Sequence, residues 1–251
     1  MSRLSEPRLA AMPALLRACR PRQWVKNVLV LTAPVAAGVV TQPKALAQML
    51  VAFVAFSVAA SGIYLVNDAV DVEADRAHAT KRLRPVASGE LSVREAWVAA
   101  LVLLPAALVV SALVTWQLLV VVAIYEAVQL WYCLGMKNEP VIELTSVAPG
   151  FLLRAIAGGV ATHVQLSEWF LIAAGFGSLF MAAGKRYAEI RLTQETGVAI
   201  RPVLKNYTPS YLRFVWTMSA GVLSPPTRFG PSRWPGPRRT SGVWCPSSRS
   251  W

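Results

Sequence analysis

The sequence predicts an all-α, polytopic bundle of transmembrane helices. Hydrophobic residues fill 55% of the 251 positions and charged residues only 15%, where an ordinary soluble domain carries about a quarter charged. The apolar residues gather into stretches of about 20, enough to cross a hydrocarbon core of about 30 Å at the rise of an α-helix. Lys and Arg fall in alternate connections between those stretches, the pattern that orients membrane helices.

Taken in order, residues 1–23 form a lead-in with Arg3, Arg8, Arg17, Arg20 and Arg22. Its apolar patch is short, is interrupted by Pro13 and has no clear cleavage site, so it reads as an interfacial segment rather than a signal peptide. Residues 24–223 form one transmembrane domain. Six complete spans are predicted at about 24–40, 45–66, 96–114, 116–134, 141–161 and 169–184, and a partial seventh starts at Ser210. Arg76, Lys81, Arg82, Arg84 and Arg94 follow the second span, Lys137 follows the fourth, and Lys185, Arg186, Arg191, Arg201 and Lys205 follow the sixth. The intervening connections hold only Lys44, which places the N-terminus and all three basic loops in the cytoplasm and the chain in the cell membrane.

The net charge of +12 is scattered between apolar stretches and forms no basic face, which argues against a nucleic-acid partner. Cys19, Cys133 and Cys245 are odd in number and lack metal-site spacing, so neither a disulfide framework nor a zinc site is encoded. Residues 224–251 carry six Pro, six Ser, five Arg and three Trp without Asp, Glu or Lys. Such a composition arises when GC-rich coding sequence is translated out of frame, so this tail is expected to be non-native or disordered. The seventh span would run about 21 Å before meeting Pro225 and Pro226, too short for the core, and a chain so interrupted is expected to be poorly stable and weakly active.

The chemistry is concentrated after the second span, in Asn67-Asp68-x-x-Asp71-x-Glu73-x-Asp75. At about 100° per residue, Asp68, Asp71 and Asp75 lie within about 60° of one another on a helix, Asn67 extends that face, and Glu73 points away. Carboxylates so placed repel one another unless a hard divalent cation lies between them, and Mg2+ is commonly shared between a few carboxylates and substrate phosphates. The alternative is a solvated acidic helix end. Thr80-Lys81-Arg82-Leu83-Arg84-Pro85 follows at once, suited to a polyanionic substrate whose charge the metal only partly neutralises.

Asn67-Asp68-x-x-Asp71-x-x-x-Asp75, with Lys81-x-x-Arg84-Pro85 and Ser88-Gly89 behind it, resembles the first signature of the UbiA superfamily of intramembrane prenyltransferases. Arg20-Pro21-Arg22-Gln23-Trp24-Val25-Lys26-Asn27, Tyr64-Leu65-Val66-Asn67-Asp68 and Gly184-Lys185-Arg186-Tyr187-Ala188-Glu189 are similar to its phosphoribosyl-transferring branch. The resemblance covers residues 17–219. It implies nine helices around a central cavity, Mg2+ as cofactor, phosphoribosyl diphosphate as donor, a polyprenyl (decaprenyl) phosphate as acceptor, and a product that feeds cell-wall arabinan synthesis. It implies Asn67, Asp68, Asp71 and Asp75 as metal ligands, the three aspartates being catalytic.

Members that prenylate aromatic acceptors carry a second Asp-x-x-x-Asp in the loop after the sixth span, where this chain has Lys185, Arg186, Tyr187 and Glu189. One carboxylate among cations suits phosphate better than a second metal. Lys26, Asn67, Lys81, Arg82, Arg84 and Lys137 complete the expected substrate-binding set. The acceptor phosphate is already anionic near neutral pH, so attack on C1 of the ribose with inversion needs no general base, and the only histidines are His78 and His163. Arg154 is expected to pair with Glu126 inside the bundle, with a role toward substrate as the second reading. An aromatic prenyltransferase of quinone or haem synthesis is the alternative enzyme; a multi-spanning transporter or scaffold is the alternative outside enzymes.

Overall fold

The computed structural model describes residues 12–136, 140–196 and 208–224. Lys137, Arg201, Lys205 and the 225–251 tail lie outside the described residues. Among those described, every regular element is a helix.

A short helix α1 (Ala14–Ala18) leads into a 3₁₀ helix over Pro21–Leu31 and then α2 (Thr32–Ala36). The first predicted span is therefore no continuous α-helix. Pro34 accounts for the junction at its end, because it has no N–H for the carbonyl of Val30 and its ring clashes with an α-helical carbonyl there, but not for the 3₁₀ pitch that begins at Pro21. The freed Val30 oxygen meets α8 (Pro140–Ala161) at Gly158, where a Cβ would lie 1.8 Å from it. Only glycine permits that approach.

The core is built on α3 (Pro43–Val70), which begins with Pro at a position where a missing N–H costs nothing. Its 28 residues span about 42 Å. Two thirds of its most apolar stretch is buried, against 22% for α6 (Val93–Ala112) and 33% for the span that starts at Trp116, so α3 is the packed axis. Ser92 and Glu95 cap α6 reciprocally: the Ser92 hydroxyl accepts from the Glu95 N–H at 3.2 Å, and the Glu95 carboxylate accepts from the Ser92 N–H at 2.8 Å. Between α3 and α6, the chain forms α4 (Val72–Ala77), a 3₁₀ turn at Lys81–Leu83 and α5 (Pro85–Ser88).

Helix α7 (Trp116–Trp131) continues into a π turn, Tyr132–Met136. Then come α8, α9 (Glu168–Thr196) and α10 (Pro209–Leu223). By length and composition, three helices among the described residues can cross a membrane: Pro43–Val70, Val93–Ala112 and Trp116–Gly135. The sixth predicted span ends at Gly184, but α9 runs through it without a break to Thr196, so Lys185, Arg186, Tyr187 and Glu189 stand on a helix rather than in a loop.

Candidate active site

The acidic motif sits where α3 ends. Asp71 is the corner residue between α3 and α4, with φ −91° and ψ 8°, yet helical bonding carries through it. The Asp71 N–H donates to the Asn67 carbonyl at 3.0 Å and the Asp75 N–H to the Asp71 carbonyl at 2.8 Å. This near-continuity keeps Asp68 and Asp75 on one face. Both are 1% exposed, and the Arg84 Nη1 donates to Asp68 Oδ1 at 3.2 Å and to Asp75 Oδ2 at 2.5 Å. Lys81 Nζ lies 3.7 Å from Asp75 Oδ1.

The expected quartet of ligands is thus drawn together only in part. Asp71 is half-buried at the corner, and the Asn67 amide oxygen accepts from the Cys133 thiol at 3.7 Å. No three His, Cys, Asp or Glu side chains among the described residues converge tightly enough to hold a metal unaided. Glu73 faces outward, 81% exposed, and pairs with Arg76 at 2.9 Å. Arg82 is exposed. The donor chemistry nevertheless fits Mg2+: the oxygens are hard, and Asp68 Oδ2 is buried without any hydrogen-bond partner. Such an orphaned carboxylate oxygen is costly unless a cation takes it.

Arg20 is the residue that sequence reasoning left out of the site. Its guanidinium reaches Asp68 Oδ1 from the lead-in and lies 4.8 Å from the centre of the Tyr64 ring. The positive-inside bias accounted for it and so hid it. A second signal was also available: Ser57, Ser61, Tyr64 and Asp68 recur at intervals of four, three and four on the most apolar helix, one polar stripe facing the first segment. Trp24 Nε1 donates to Ser61 Oγ at 3.1 Å, and Asn27 Nδ2 to Ser57 Oγ at 3.0 Å.

At the foot of this stripe, Arg154 is buried but does not pair with Glu126 as expected. Its Nε donates to Asn27 Oδ1 at 2.7 Å, Nη1 to the Gly150 carbonyl at 2.5 Å and Nη2 to the Tyr125 hydroxyl at 3.0 Å. Glu126 Oε1 is buried without a hydrogen-bond partner. Neighbouring residues on one helix project about 100° apart, so the group that Arg154 meets on α7 is Tyr125.

The basic group on α9 divides in the same way. Arg186 is buried and pairs with Glu189 at 2.6 Å; Tyr187 stacks on Trp216 of α10 with ring centres 6.1 Å apart. Lys185 is exposed and lies within electrostatic reach of Lys26, which also senses Arg20 and Arg154. The positive charges of the first segment, α8 and α9 therefore act on one another.

The chain belongs to the UbiA prenyltransferase family, whose model matches residues 28–234. It is 56% identical over 213 residues to decaprenyl-phosphate phosphoribosyltransferase of Mycolicibacterium smegmatis, covering 83% of this chain and 67% of that one. It is 51% identical over 221 residues to the enzyme of the same name from Mycobacterium tuberculosis, covering 86% and 73%. For the Corynebacterium glutamicum enzyme of that name the identity is 54%, covering 82% of this chain and 63% of the relative, so the chain spans about two thirds of the length of these relatives. In fold it is similar to a UbiA homolog from Archaeoglobus fulgidus bound to DMAPP and Mg2+, with a TM-score of 0.69 at 20% identity, covering 83% of this chain and 74% of that one.

Proposed function

We propose that the chain is an integral-membrane transferase that moves 5-phosphoribose from phosphoribosyl diphosphate to a polyprenyl phosphate, with decaprenyl phosphate as the acceptor its relatives name, and releases diphosphate. The observation that carries the reading is the buried Asp68–Arg84–Asp75 cluster at the end of α3, with its unpartnered Asp68 oxygen. Asp68 and Asp75, flanked by Asp71 and Asn67, would hold Mg2+, which when bound stabilises negative charge on a departing diphosphate. Arg84 and Lys81 then bind that diphosphate as charge-assisted donors, with Arg82 at the rim. Lys26 and Lys185 attract the remaining phosphates of donor and acceptor, and Lys137 is assigned to the same role from the sequence alone. His78 acts on the backbone rather than on substrate: its Nδ1 accepts from the Thr80 N–H at 3.2 Å and shapes the turn that presents Lys81. The acceptor phosphate supplies its own negative charge as nucleophile.

An aromatic prenyltransferase is disfavoured by Glu189, which is neutralised by Arg186 instead of joining a second metal pair. Purified protein in lipid nanodiscs, given labelled phosphoribosyl diphosphate and decaprenyl phosphate, should yield labelled lipid. Asp68→Asn, Asp71→Asn and Asp75→Asn should each cut turnover by about 100-fold or more, while Glu73→Gln, an exposed surface pair, stays within about threefold. Transfer only from a prenyl diphosphate to an aromatic acid would replace the assignment.

A further inference from the structure

The two oxygens of Asp68 have different surroundings. Oδ1 accepts from both Arg20 and Arg84, whereas Oδ2 is buried and unpartnered. Arg84 reaches Asp75 as well, where Lys81 stands on the other oxygen. Three cations therefore surround two carboxylates that are 1% exposed. Arg20 comes from outside the 28–234 stretch that defines the family match.

Arg20 is also held in a left-handed backbone conformation, φ 52° and ψ 59°. For a residue with a Cβ this costs about 1 kcal/mol, and it persists because its surroundings fix it. The preceding carbonyl, of Cys19, accepts from Trp24 Nε1 and from Ser61 Oγ, both at 3.3 Å. The Tyr64 ring backs the guanidinium. Lead-in and α3 are thereby tied together at the point from which Arg20 can reach Asp68.

A guanidinium and a divalent cation compete for the lone pairs of the same carboxylate oxygens, and their mutual repulsion is strong in a poorly hydrated pocket. A diphosphate offers each guanidinium the paired oxygen acceptors that its planar fork prefers. We propose that Arg20, together with Arg84, is a positioning residue that makes metal loading conditional on the diphosphate. The two guanidiniums neutralise Asp68 and Asp75, a diphosphate draws them away, and the released carboxylate oxygens take the metal together with the phosphates. Metal and donor then enter as one unit, and metal alone is held weakly. This rests on the metal-diphosphate reading above.

The test is Mn2+ binding to the full chain in nanodiscs, measured by electron paramagnetic resonance with and without inorganic pyrophosphate and corrected for the Mn2+–pyrophosphate complex in solution. The unaltered chain should bind Mn2+ about tenfold or more tightly with pyrophosphate. Arg20→Gln should raise the affinity for Mn2+ alone by about fivefold or more and shrink the pyrophosphate enhancement by the same factor. Arg84→Gln leaves the lead-in intact and should move both quantities the same way, so the proposal stays testable if Arg20→Gln folds badly. An enhancement that neither variant reduces overturns the exchange while leaving the metal site standing. Failure of the unaltered chain to bind Mn2+ in either condition overturns the metal site and the exchange together.

Discussion

No carboxylate among the described residues forms an ion pair with Arg154. Asn27, Tyr125 and the Gly150 carbonyl take three of its five N–H groups, while the Tyr125 and Phe56 rings lie 4.8 and 5.7 Å from its guanidinium carbon. Arg154→Met should destabilise the bundle by about 2 kcal/mol, because the Asn27 and Tyr125 groups lose a buried partner. Double-mutant cycles in mixed micelles should give about 1 kcal/mol of coupling between Arg154 and Tyr125 and under about 0.5 kcal/mol between Arg154 and Glu126. Coupling to Glu126 above that to Tyr125 would mean that the two charges meet after all. Residue spacing made Asp68, Asp75 and the outward Glu73 legible, since all three lie on one short stretch whose helical phase is readable. The polar stripe of Ser57, Ser61, Tyr64 and Asp68 signalled that α3 meets a polar neighbour, but spacing reports which residues share a face and not which side chains lie opposite, so it did not single out Arg20 at Asp68 or Asn27 at Arg154.

Apolar periodicity located the helices from Pro43 onward but misjudged the end of α9 and the regularity of the first span, for physical reasons. Gly184 closes the apolar stretch, yet Lys185-Arg186-Tyr187-Ala188-Glu189 contains good helix formers and an i,i+3 ion pair, so α9 continues where its hydrophobicity does not. The first predicted span had enough apolar residues, yet it is 3₁₀ from Pro21 to Leu31 and Pro34 leaves the Val30 carbonyl without a helical donor at the junction. The contact between the Val30 carbonyl and Gly158 follows from that break, and it is the tightest approach that any glycine in the bundle makes among those described. Gly158→Ala should cost about 3 kcal/mol, since a backbone oxygen cannot move aside as a side chain can. Gly175→Ala should be nearly silent in the same thermal melts: its added methyl meets nothing within 4 Å and borders an apolar cleft of about 460 Å³ between α8 and α9. Helix propensity favours Ala at both positions, so equal losses would show that the Val30 contact is not what makes Gly158 costly to replace.

For the molecule as a whole, we propose that the Asp68 end of α3 faces the cytoplasm, the side that the alternation of Lys and Arg between connections predicts. Cys19 and Cys133 are buried, and burial pushes the Cys19 thiol up, so both react poorly with maleimides. In a Cys245→Ser background, Glu73→Cys should therefore be labelled only after reagent reaches the cytoplasmic side of oriented vesicles, and Gln165→Cys from the opposite side. The reverse pattern would invert the topology. The polar stripe on α3 bears on the barrier function of the membrane itself. From Asp68 down to Ser57 it extends about 16 Å by helix rise, more than half of a hydrocarbon core of about 30 Å. A seam of hydroxyls of that depth is the sort of feature along which protons leak down an electrochemical gradient. Arg154 stands at its foot, bonded to the Asn27 that Ser57 holds. A fixed positive charge there raises an electrostatic barrier to protons and metal cations, as a pore arginine does in water channels. In a bundle that spans the membrane, that buried charge would oppose the passage of cations along the polar stripe and so help keep the membrane potential from leaking through it.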